Sequence, residues 1–410
     1  MTFRFRRFFV ALLGSTALVA ACVAVSAGPA AALTRTLFVG CGFNTYPTVG
    51  AAVLAAPSGA TILVCPGTYH ESVVVPSTKT LTIRGIAEPV IDAGGTGPNP
   101  GVQVLSSGTV IKGFTVENAF GEGILVGSGP GAGPAISGVS IENNTIINDD
   151  QGNPTNLPLV SSAYGECAET PQAAPAPPIP GDCGEGIHLL SANNSTVVNN
   201  RVYGDSGGIL LTDENGPTFG NLIAHNVVTH NQYDCGVTVA GHNIALAGGI
   251  YHNTIADNLI TNNGVLGQGA GVLFASPVPG GAYGTGGAVY DNLVEGNYIW
   301  GNGLGGVTLH SHSTGQDLSG NSIVGNFFGT NNLAPDADFA FAGKDFIDGQ
   351  TTGIVIATLS DITINIADNV VANDANGIWI GEVFGAKVTV TGTASNIFVN
   401  EAAPVVVVTH

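Results

Sequence analysis

The sequence predicts an all-β fold, a single-stranded parallel β-helix closed at its N-terminal end by a short capping helix. Three observations predict it. First, one pattern recurs: an apolar residue, two variable residues, an Asn, two mostly apolar residues, and an Asn or Asp five places after the first Asn. Copies stand at Asn144/Asp149, Asn200/Asp205, Asn226/Asn231, Asn258/Asn263, Asn297/Asn302, Asn326/Asn331 and Asn369/Asp374. Second, each copy is followed by Gly and a short apolar strand: GIHL at Gly186, GILL at Gly208, GVTV at Gly236, GVLF at Gly271, GVTL at Gly306, GIVI at Gly353 and GIWI at Gly377. Third, 60 glycines occur in a chain that is 44% hydrophobic and only 10% charged, which marks a turn-dense β protein with a continuous core. A unit this short cannot bury its own apolar face and must stack on its neighbours. Parallel crossovers favour the right hand, so a right-handed solenoid is expected.

The elements follow in order. Residues 1–32 read as a signal peptide: Arg4, Arg6 and Arg7 form a basic start, Phe8 to Val25 is apolar, and Ala30 to Ala32 supplies small residues for cleavage near Leu33. A lipid anchor on Cys22 is the minor alternative. Residues 33–92 read as a cap and first coils. Pro47 to Ala56 is expected to form a small helix that covers the open solenoid end, stopped by Pro57 to Gly59. Residues 93–410 carry the remaining coils, interrupted by excursions at 150–184 and 332–350. No later apolar run is long enough to span a bilayer.

Charge narrows the partners. Losing the three N-terminal arginines takes Lys+Arg from 10 to 7 against 29 Asp+Glu, a net charge near −22. That argues against nucleic acid and anionic membrane, and fits a secreted monomer. In an oxidising compartment, Cys41 is expected to pair with Cys65 and Cys167 with Cys183, leaving Cys235 as a buried thiol. The repeated Asn residues are expected at sharp bends, where Asn tolerates left-handed backbone and can stack in amide ladders.

The segment YPTVGAAVLAAPSGATILVCPGTYHESVVV, followed by KTLTIRG, resembles the opening of right-handed β-helix proteins that bind or process carbohydrate. It is also similar to NosD-like β-helix proteins associated with periplasmic copper-enzyme maturation. The resemblance implies the fold strongly and the activity weakly, because these proteins share scaffold motifs while their chemistry differs.

Candidate site residues come from aligning the coils. In each Gly-led strand the third residue should point away from the core. That row is Leu125, His188, Leu210, Thr238, Leu273, Thr308, Val355 and Trp379. At the strand exits, Asp213 and Glu214 should neighbour His242, with His310 and His312 two coils further on. Asp213, Glu214, His242 and His310 are the candidate acid–base residues, and His188, His312 and Trp379 the candidate substrate contacts. Solvated polar turn residues are the competing reading. A second strip sets His225 beside Asp257 and His230 near Asn262, with His252 close by; surface imidazoles are the simpler reading there. Asp336 and Asp338 in the second excursion could ligate calcium, the one cofactor suggested.

Absent motifs matter too. The Asn-x-Asp, Gly-His-Gly and Arg-x-Lys series of polygalacturonases is missing, as is the Gly-Arg-Pro-Trp of pectin methylesterases. Met1 is the single methionine, which weakens a soft copper site. Two readings remain: a secreted protein that binds or processes a polysaccharide along the solenoid, or a non-catalytic surface scaffold, with metal-binding NosD-like function as a further alternative.

Overall fold

The computed structural model describes residues 35–409, except 44, 98, 129–132, 150–184, 242–248, 267–268, 277–286, 312–313, 335–339, 342–343, 346–348 and 383–384. The expected signal peptide at residues 1–32, Cys167 and Cys183, His242, His312, Asp336 and Asp338 therefore lie outside the described residues.

The chain winds into a right-handed parallel β-helix of three sheets. Sheet A has 12 strands, and sheets B and C have 11 each. A representative coil runs from Thr196–Val198 in sheet A to Arg201–Tyr203 in sheet B to Gly207–Thr212 in sheet C. The next coil repeats this with Leu222–Ala224, Val227–Thr229 and Val237–Ala240, paired in parallel register. Strands of sheets A and B bury their middle residue and leave its neighbours outside, the two-residue period of a pleated strand. These middle residues, with Ile187, Leu189, Ile209 and Leu211 of sheet C, form one core along the axis. No helix among the described residues is long and apolar enough to cross a membrane.

The cap is present as a shorter helix than expected. The helix α1 spans Val49–Ala55, Thr48 is its N-cap, and Pro47 lies outside it. Val49, Ala52 and Val53 face the core. Glu71 accepts from the amides of Val49 (2.6 Å) and Gly50 (2.8 Å), and Lys79 donates to the carbonyls of Val53 and Leu54 at the other end. Each charge thus meets the helix terminus of opposite partial charge. Cys41 and Cys65 are joined, and Cys235 is a buried free thiol, as expected. Removing the disulfide with Cys41→Ser is expected to destabilise the cap by about 3 kcal/mol through loop entropy. Hydrogen exchange should then speed up in α1 and Thr36–Val39 while coils beyond Glu185 stay protected. Equal acceleration in those distant coils would refute this local effect.

The turns differ from the expectation in one respect. In the coils from Val110–Lys112 to Val370–Ala372 only two residues separate sheets A and B, for example Asn143 and Asn144 between Ser140–Glu142 and Thr145–Ile147. The left-handed residue is the first of the two: Asn143, Asn199, His225, Asp257 and Asp368 all have positive φ, and the ladder Asn that follows does not. The ladder Asn instead bonds its neighbours: Asn226 Nδ2 donates to Asn258 Oδ1 (3.0 Å) and Asn258 Nδ2 to Asn297 Oδ1 (2.9 Å), and so on to Asn396. A second ladder runs through Asn231, Asn263, Asn302 and Asn331. A third, through Asn221, Asn253, Asn292 and Asn321, was not anticipated. The repeated Gly has a steric role. A Cβ on Gly208 would strike the carbonyl of Gly236 and the side chain of Val228, and one on Gly271 would strike the carbonyl of Gly306 and Ile299. Glycine at these positions lets successive coils approach this closely where the chain enters sheet C.

Candidate functional site

The three corners of the coil are unequal. The corner from A to B is short and nearly invariant, whereas the two corners that flank sheet C vary. Ile147 and Glu185 bound one long connection into sheet C, and Phe328 and Thr352 bound another. Connections out of sheet C lengthen after Ala240 and Ala275. Long connections are where a rigid scaffold builds sites, so sheet C is the face to inspect.

Its predicted row is in register: Leu125 pairs with His188, then Leu210, Thr238, Leu273, Thr308, Val355 and Trp379. These side chains point away from the core, yet all but Leu273 are buried. Pointing outward therefore does not expose them to solvent. Trp379 is 5% exposed and packs with Val355, Ala357 and Leu359. Its ring belongs to an outer apolar cluster.

His188 is the exception in chemistry. It is fully buried, with Nδ1 3.3 Å from Glu122 Oε1 and Nε2 2.8 Å from Thr212 Oγ1. Glu122 stands one coil before and Thr212 one coil after. Glu185 occupies the same strand position as Glu122 on the next coil, two residues before Ile187 as Glu122 is two before Ile124. Gly207 continues that column, and a Cβ there would meet the side chains of Glu185 and Asp234. The outer face of sheet C thus gathers Glu122, Glu185, His188 and Asp234 near its entry edge. The sequence carried a signal for this: the tetrapeptide Gly-Glu-Gly-Ile occurs at Gly121 and again at Gly184.

The predicted exit strip is only partly assembled. Asp213 follows Thr212 directly and is buried, and Glu214 is half-buried beside it. His310 lies in the column of Thr212, Ala240 and Ala275, not in that of Asp213. Three coils at about 4.8 Å separate Thr212 from His310, too far for one acid–base pair. The second strip resolves into turn chemistry, for His225, His230, His252, Asp257 and Asn262 all occupy left-handed positions. Asp, Asn and His are the non-glycine residues most tolerant of that conformation.

A family model described as "Periplasmic copper-binding protein (NosD)" matches residues 109–344, more than half of the chain. The chain belongs to the NosD family. No curated protein matches it significantly. Among solved structures, an alginate lyase from Paenibacillus sp. is similar at 13% identity, covering 87% of this chain and 98% of that one, with a TM-score of 0.53. Pectate lyase Pel9A is similar at 16% identity, covering 87% and 78%, with a TM-score of 0.50. At these identities the likeness concerns the fold.

The described residues of this NosD-family chain do not fit a copper centre. Both ring nitrogens of His188 are engaged by Glu122 and Thr212. Cys235 Sγ accepts the Ala270 amide at 3.1 Å, and burial pushes its thiol pKa up, opposing the thiolate a soft metal needs. Among the described residues no group of three His, Cys, Asp or Glu is placed to hold a metal ion.

Proposed function

We propose that this NosD-family solenoid is an exported protein that engages a linear polysaccharide along the outer face of sheet C, with Glu122 and His188 as its acid–base pair. The observation that carries this reading is the buried imidazole held between Glu122 and Thr212 on the face flanked by the long connections. A carboxylate on Nδ1 fixes the ring's orientation and tautomer, leaving Nε2 as the group that exchanges a proton with Thr212 or a substrate oxygen. Asp213 and Glu214, directly after Thr212, extend the pair toward the exit edge of sheet C, where His310 ends a later strand. A groove parallel to stacked coils suits a linear polymer. The Cys41–Cys65 disulfide supports an oxidising compartment outside the cytoplasm.

The test is a polysaccharide panel against the purified chain, with calcium or with EDTA, reading binding, new reducing ends and unsaturated products. Glu122→Gln is expected to lower turnover by about 100-fold or more while binding persists. Turnover unchanged in Glu122→Gln and His188→Asn would remove the pair from the chemistry. Binding without turnover in the parent would leave a glycan-binding module, and no binding would favour a scaffold. A copper reading is favoured by the family description alone. It requires ligands such as His242 and His312, and equilibrium dialysis against copper with His242→Ala and His312→Ala tests it.

A further inference from the structure

The outer face of sheet B changes character along the axis. In its early coils it carries Asp92 and Glu117 in one register column. From Val227–Thr229 to Ile397–Val399, the outward positions carry no charge at all, in a chain whose net charge is −19. One column runs through Leu259, Tyr298 and Phe327 to Ile397, and the adjacent column holds Trp300 and Val399. Tyr298 and Ile397 are each 58% exposed, and Phe327 and Trp300 each 38%. Contiguous exposed apolar surface with a polar rim marks a binding site more often than chance exposure. The rim is present on both sides, in the turn residues Asp257, Asp368, Asn262 and Asn373.

The ring geometry says what kind of ligand fits. On another side of the solenoid, Phe219, Tyr251 and Tyr290 stack face to face at 5.2 Å with interplanar angles of 7° and 15°. Their faces are spent on one another. Tyr298 and Phe327 are instead tilted by 35° at 5.9 Å, which leaves ring face open to a ligand. Gly329 follows Trp300 in its column and puts no side chain over the indole. Successive coils lie about 4.8 Å apart, close to the length of one sugar residue in an extended chain. Aromatic faces take up the C–H faces of pyranose rings, and the rim amides and carboxylates can bond the hydroxyls.

We infer that the C-terminal half of sheet B is a second glycan surface, a platform for an uncharged linear polysaccharide centred on Tyr298, Phe327 and Trp300. It rests on the reading of the protein as glycan-engaging, and it is separate from the acid–base face on sheet C. The platform holds the polymer without reacting with it. An uncharged glycan is specified because the stripe has no cation to neutralise a polyuronate and the rest of the chain repels one.

The experiment titrates the purified chain with cello- and xylo-oligosaccharides of increasing length, by calorimetry and by tryptophan fluorescence. The chain has two tryptophans, and Trp379 is buried. The expected result is affinity that grows with chain length, a Kd raised roughly tenfold in Tyr298→Ala with Phe327→Ala, and a fluorescence change lost in Trp300→Phe but kept in Trp379→Phe. All four substitutions are checked by an unchanged circular dichroism spectrum. Binding that is equally tight in the Tyr298 and Phe327 variants overturns the platform while leaving a glycan-engaging protein. No binding of either oligosaccharide series also overturns it, whatever polymer the sheet C panel identifies. A self-association that the variants abolish, without any sugar effect, would reassign the stripe to a second copy of the chain.

Discussion

Asn258→Leu is expected to lower stability by about 3 kcal/mol or more. Asn258 is 1% exposed. Its Oδ1 accepts both the main-chain amide (2.9 Å) and the side-chain amide (3.0 Å) of Asn226, and its Nδ2 donates to the Ile223 carbonyl and to Asn297 Oδ1, both at 2.9 Å. Leucine is near in volume but returns none of these bonds. The Asn226 amide and the Ile223 carbonyl are then buried without water, and each such group costs about 1–3 kcal/mol. The loss is also transmitted, because the ladder is a chain of mutually polarising bonds. Against a total stability of about 5–15 kcal/mol, one substitution removes a large part. Urea unfolding monitored by circular dichroism checks it, and a change under about 1 kcal/mol would show that the ladder contributes little.

Asp205→Asn is expected to act in the opposite direction. Asp205 sits in the second ladder, 2% exposed, with Oδ1 accepting the Asp149 amide at 2.7 Å. Burial raises its pKa from 3.8 to about 8, against a smaller downward pull from that amide. The sign follows directly. Between pH about 4 and about 8 the folded protein holds a proton that the unfolded chain releases, so stability falls as pH rises through this window. The contribution is complete below the unfolded pKa and lost above about 8. Asparagine places an N–H where the acid holds its proton, carries no charge and does not titrate. The variant should therefore melt several degrees higher than the parent at pH 7 and above, and the two should converge toward pH 4. Melting temperatures across that range decide it. Parallel pH profiles for the two proteins would mean that Asp205 does not titrate in this window.

Much of the scaffold was legible because it is local and periodic. The paired Asn of the seven units located the two-residue corners between sheets A and B from Asn143 onward, and the Gly-led strands located sheet C with its register intact. The third ladder was legible too, since Asn221, Asn226 and Asn231 stand at equal spacing, as do Asn253, Asn258 and Asn263. The histidines of the second strip were misleading for a physical reason. A left-handed turn position accepts Asn, Asp, Gly or His on backbone grounds alone, so imidazoles recur there without any common chemistry.

The candidate site was less accessible. His188 was identified as a member of the outer row, but its partner Glu122 lies 66 residues away, across the long connection between Ile147 and Glu185. Alternation along a strand gives the direction of a side chain, not what covers it. That is why Trp379, a candidate substrate contact, points outward with its row and is nonetheless buried.

By itself, then, the sequence determined the coil, the cap, the Cys41–Cys65 link and the strand register, because each follows from spacing within one unit or between adjacent units. Tertiary structure decided which outward residues are buried, that Glu122 meets His188, and that Tyr298, Phe327 and Trp300 share one open face. Those outcomes depend on stacking residues brought together by coils of unequal length, and no local period records that length.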